Sequence, residues 1–132
     1  MPVLDGTGGV KTVTGVYDFA VDGGAAGTLT LRNGSGDSLP NEIPAGAVVL
    51  GGYIDVTTAC LSATGTMAFQ IEGAADLTSA LAQAGLTTGL KAVTPSFTGS
   101  TAIKTTAKRS IRVVIATAAF TAGKLSVVLF YK

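Results

Sequence analysis

Short runs of alternating apolar and polar residues, broken every few positions by glycine, proline or asparagine, set the pattern of this 132-residue chain. Side chains that repeat with a period of two point to opposite faces of a strand, so such runs predict half-buried β-structure. In Val13 to Val21, the residues Val13, Tyr17, Phe19 and Val21 share one face while Thr14, Asp18 and Ala20 share the other, and Gly23-Gly24 ends the run. Thr28 to Arg32 repeats the alternation before Asn33-Gly34-Ser35-Gly36-Asp37, residues that tolerate the positive φ of a turn. Pro40 and Pro44 lack the amide a ladder needs, so Leu39 to Ala47 reads as an extended connection into a strand over Val48 to Val56. Gly51-Gly52 inside that strand predicts a bulge or a corner. Thr66 to Ile71, Ser110 to Ala116 and Lys124 to Tyr131 are further strands. In the last of these, Leu125, Val127, Leu129 and Tyr131 alternate with Ser126, Val128 and Phe130. Apolar residues on both faces predict burial from both directions, either centrally in the fold or against a neighbouring subunit.

One segment changes period. From Asp76 to Gly85, Asp76 can cap a helix, Leu77, Ala80, Leu81 and Ala84 form a stripe, and Gly85 suits the left-handed end. The pattern as a whole predicts an all-β, jelly-roll-like β-sandwich of about eight short strands with one short helix around residues 76–84. Residues 13–132 read as a single domain, and the glycine-rich residues 1–12 as a flexible N-terminal arm.

Composition sharpens this into an interaction protein. Hydrophobic residues make up 47% and charged residues 13%, the latter about half the ~25% usual for soluble proteins. A chain with so little charge to solvate its surface is expected to bury area against partners. The charge it has is segregated: residues 1–76 hold eight acids against Lys11 and Arg32, while residues 77–132 hold seven bases and no acid. Such a division suits halves that meet opposite charge, within the fold or across a contact. The longest uncharged run, Val56 to Ile71, is shorter than the ~18–20 apolar residues of a membrane span, and the N-terminus lacks the basic and apolar regions of a secretory signal. Both point to a soluble chain made in a reducing cytoplasm, in which the lone Cys60 is a small buried hydrophobe.

Little of this composition suits catalysis. Without histidine, neither Ser-His-Asp nor Cys-His nucleophiles can be assembled, and no spacing of acids or cysteines resembles a metal site, so no cofactor is expected. Asp55 and Glu72, near strand ends, are the pair a glycosidase reading nominates, but the chain has no tryptophan to stack against sugar. The basic cluster Lys104, Lys108, Arg109 and Arg112 suggests nucleic acid at first sight, yet no aromatic residues interleave with it. It suits lysine guarding of a sheet edge, or contact with the acidic half of an adjacent subunit or an acidic assembly surface. These four residues, with Val128 and Phe130, are the candidate interface.

Three segments carry a resemblance. They are Leu39 to Ala59, with proline-alanine-glycine, an apolar strand and valine-threonine-threonine; Phe69 to Leu77; and the closing passage from Ile111 to Ile115 and Phe120 to Tyr131 with its threonine-alanine-glycine-lysine turn. Over residues 39–131 the chain resembles tailed-bacteriophage head decoration (cement) proteins and related small jelly-roll virion proteins. The resemblance implies a non-enzymatic subunit, a homotrimer, bound to the major capsid protein on the outer surface of the virion, with no direct contact to nucleic acid or membrane. A tail or fibre-base subunit, or a carbohydrate-binding module for host surface glycans, is the alternative reading.

Overall fold

Wherever the alternation is strict the backbone pairs as strands. The computed structural model describes residues 10–34, 41–97 and 99–132. Among them are ten strands: β1 (Lys11–Asp18), β2 (Gly27–Thr30), β3 (Arg32–Asn33), β4 (Val48–Leu61), β5 (Thr66–Gln70), β6 (Leu81–Ala82), β7 (Gly89–Ala92), β8 (Ile103–Lys104), β9 (Arg112–Ala116) and β10 (Ala122–Tyr131). The larger sheet runs β3-β1-β10-β4-β7, with β8 beside β4, and the smaller runs β2-β9-β5-β6. Every pairing is antiparallel. Setting aside the two-residue β3 and β8, the pairs β1–β10, β2–β9, β4–β7 and β5–β6 nest inside one another. That order is a long hairpin wrapped into two facing sheets, the jelly roll.

The inner faces meet in one hydrophobic cluster that includes Tyr17, Ile54, Val56, Met67, Phe69, Val113, Phe120, Leu125 and Val127. Fully burying a side chain of this kind contributes about 1.5–3 kcal/mol. Buried polar groups are matched: the Tyr17 hydroxyl donates to the Gly23 carbonyl at 2.7 Å. Asn41, 1% exposed, donates to the carbonyls of Leu31 and Ile111 and accepts the Ile111 amide at 2.7 Å. Leu31 lies where the chain leaves β2 for β3 in the other sheet and Ile111 just precedes β9, so one amide side chain ties both sheets together. Cys60 is buried, and desolvation pushes its thiol up to about 11.

Four departures from the sequence reading have local causes. The run Val13 to Val21 stops as a strand at Asp18, whose carboxylate accepts the Ala20 amide and caps a single helical turn, Phe19–Asp22. Val21 is therefore 66% exposed rather than facing the core. Thr28 to Arg32 is divided between the sheets at buried Leu31. The helix expected around residues 76–84 is absent: the segment holds β6 and only a 3-10 turn, Gln83–Gly85. The reason is that the Asp76 carboxylate turns backward to accept the amides of Ile71, Glu72 and Gly73 at 2.8–2.9 Å. The amides of Leu77 and Thr78 then donate to Phe69, which holds the backbone extended along β5. The bulge expected at Gly51-Gly52 is present, one residue earlier: Phe130 pairs with Gly51 and Tyr131 with Val49, leaving Leu50 extra. Strand β1 begins at Lys11, within the segment read as an arm; residues 1–9 of that arm, Ser35 to Asp37 of the expected turn and Leu39-Pro40 of the extended connection lie outside the described residues.

Candidate interaction surface

Register fixes what the outer face of the larger sheet presents, because residues opposite one another in an antiparallel ladder share a face. Four rows cross it. The first is Arg32, Val16, Ser126, Asp55 and Leu90; the second is Thr14, Val128, Tyr53 and Ala92; the third is Thr12, Phe130 and Gly51. At the end of the sheet, the Val48 amide and carbonyl bond those of Lys132 at 3.0 Å, and Val48 also pairs with Lys104, which makes the fourth row.

Phe97 completes the third row from a loop. Its amide donates to the carbonyl of the bulged Leu50, and its ring lies over Gly51, where any Cβ would overlap it. The rings of Phe97 and Phe130 stand 5.8 Å apart and those of Tyr53 and Phe130 6.3 Å, both tilted, as aromatic clusters prefer. Phe97 is 62% exposed, Leu90 70% and Tyr53 37%. Phe97 also has a φ of +63°, a left-handed backbone that costs a side-chain-bearing residue about 1–2 kcal/mol. The fold thus holds an aromatic ring in solvent at the expense of backbone strain, a combination that marks binding surfaces.

The predicted interface residues fall in several places. Val128 and Phe130 lie half-buried at the centre of this aromatic surface. The basic cluster does not stay together. Arg109 forms a two-pronged bond to Glu72, with its Nε at 2.8 Å from the carboxylate, and Lys108 meets Glu42 at 2.9 Å. Arg112 lies on the outer face of the smaller sheet, opposite Thr30 and Gln70. Lys104 joins the fourth row of the larger sheet. Two ion pairs cross the charge division of the sequence, Glu42–Lys108 and Glu72–Arg109, each joining an early acid to a late base, while Asp22–Arg32 lies within the acidic half. Arg109 and Thr106 hold the Glu72 carboxyl down to about 2.

Tyr53 and Phe97 are the surface residues that the sequence reading passed over. A signal existed for Tyr53, an aromatic out of phase with Ile54 and Val56; Phe97 stands in an aperiodic Thr-Pro-Ser-Phe-Thr loop. Of the nominated carboxylates, Asp55 lies on the outer face of the larger sheet, and Glu72, past the end of β5, is engaged by Arg109. Among the described residues no group of three metal-binding side chains occurs, and no helix is long and apolar enough to cross a membrane. An open recess of about 510 Å³ beside β1 and β3 is lined by Thr12, Val13, Thr14, Asn33, Gly34, Asn41 and Glu42.

The chain matches no family model and no curated protein. Among solved structures, a chain of the cyanophage Pam1 capsid asymmetric unit superposes on it with a TM-score of 0.61 at 25% sequence identity, over 99% of this chain and 90% of that one. Along nearly its whole length, then, the chain is similar to a chain of a phage capsid structure.

Proposed function

We propose that the chain is a virion structural protein, a capsid decoration (cement) subunit that acts as a homotrimer on the outer surface of the major capsid lattice and stabilises the head. The similarity over 99% of its length to a chain of a cyanophage capsid asymmetric unit carries this reading. The resemblance of residues 39–131 to decoration proteins, low charge and an exposed aromatic sheet face support it. The physical action is mass action. A subunit that binds the assembled lattice but not its dissociated parts raises lattice stability by RT ln(1 + [L]/Kd), about 2.7 kcal/mol per site at a hundredfold excess over Kd. No bond is made or broken.

The exposed rings also bear on a carbohydrate-binding reading. Their neighbours on the face join the apolar Val128, Leu90, Ala92 and Gly51 to the charged Lys104 and Lys132, a mixture that suits a protein surface. The test is to strip the protein from heads. Stripped particles are expected to release DNA at a lower temperature and under milder osmotic shock, with resistance restored by adding the protein back. Equal resistance with and without it would contradict a cement role, and binding on a glycan array would favour the alternative.

A further inference from the structure

We infer that the outer face of the larger sheet docks, by its aromatic end, on a carboxylate-rimmed apolar surface of a different protein, and not on a second copy of this chain. The inference rests on the decoration reading and names the surface and partner chemistry for it. The apolar part is the set Tyr53, Phe97 and Phe130, with Phe97 held outward in a left-handed conformation. The charge beside it decides the occupant. Lys132 is two residues beyond Phe130 on the same strand, so it shares that face, and Lys104 sits across Val48 from it. Lys11 stands at the same end of the sheet, opposite Tyr131.

All three lysines are exposed, and none forms an ion pair among the described residues. The carboxylates on the same face, Asp55 and Asp18, lie beyond Tyr53, away from these three lysines. Packing two such faces together in the same register would set lysine against lysine over the aromatic core, which like-charge repulsion disfavours. An acidic rim on the partner satisfies both components: the rings lose their water and the ammonium groups gain counter-charges.

The test uses heads of the virus that encodes the chain, stripped of this protein, with the full-length protein added back and the bound fraction measured against NaCl concentration. Wild type is expected to bind and to weaken as salt screens the lysines. Phe97→Ala should weaken binding at least about tenfold. Lys104→Glu with Lys132→Glu should do the same and reduce the salt dependence, while Arg112→Glu on the smaller sheet leaves binding within about twofold. Near-UV circular dichroism and native mass of each variant show that fold and oligomer are retained. If wild type binds and the Phe97 and lysine variants bind equally well, this face is not the contact, although the decoration reading stands. If Phe97→Ala instead breaks the native oligomer, a second copy occupies the face and the inference is overturned. If wild type does not bind heads, the decoration reading falls and the inference with it.

Discussion

The two outer faces of this sandwich are built by the same alternation and look unlike each other. On the smaller sheet the outward rows are Thr30, Arg112 and Gln70, then Thr28, Val114 and Ala68, then Ala116, Thr66 and Ala82. These side chains are short or polar, and none of the exposed large hydrophobics of the described residues lies on a strand of that face. On the larger sheet the outward rows carry Val16, Val128, Tyr53, Phe130 and Leu90, with Phe97 laid across Gly51. A chain that can make a flat threonine and alanine face has no folding need for an aromatic one. On that difference rests the proposal that the larger sheet is the surface covered in use.

Substitutions test how far the two faces are independent. The largest expected effect comes from Asn41→Ala, which should destabilise the protein by about 1–3 kcal/mol in denaturant unfolding, because it orphans the buried Ile111 amide and takes one of two donors from the Leu31 and Ile111 carbonyls. Since Asn41 bridges both sheets, the unfolding should stay one cooperative transition; a separate early transition for one sheet would show that the faces fold apart.

Next is the acid limb beside the smaller sheet. The Glu72 carboxyl is lowered from 4.5 to about 2 in the fold, mainly by Arg109, so the native state binds this proton less readily than the unfolded chain. Its stabilisation is then fully present above about pH 4.5 and lost as the pH falls through about 2. Glu72→Gln should flatten the thermal stability profile across that window and leave head binding unchanged.

Phe97→Gly should be smaller still in stability, within about 1 kcal/mol of wild type, because relief of the left-handed strain offsets the lost ring contact. Its melting temperature would barely move while adhesion falls, which separates the aromatic face from the core. The smallest effect belongs to Lys108→Ala. The Lys108–Glu42 pair is 71% and 52% exposed, so removing it should leave the melting temperature where it was.

Much of the sheet architecture was legible in the sequence because burial on one face writes itself as a period of two. The run Leu125, Val127, Leu129 reads as buried and is buried, while Val128 and Phe130 of the same strand lie on the outer face of the larger sheet. The misread elements share a cause: a local signal with two possible partners. Asp76 caps forward in a helix or backward in a turn with equal chemistry, and only the pairing of Leu77 and Thr78 with Phe69 selects the turn. Likewise Asp18 ends a strand that periodicity alone extends to Val21.

The surface was half legible. Val128 and Phe130 stood out because a second apolar face needs a cover. The basic cluster misled because neighbours in sequence separate in space, while Lys11, Lys104 and Lys132, far apart in the chain, gather at one end of the sheet through register alone.

The central claim is that the molecule adheres through the outer face of its larger sheet. An electron cryomicroscopy map of decorated heads tests it most directly. The account predicts Tyr53, Phe97 and Phe130 seated against the shell, with the Arg112 and Val114 face turned to solvent. A map with the Arg112 face on the shell and the three rings in open water would contradict it.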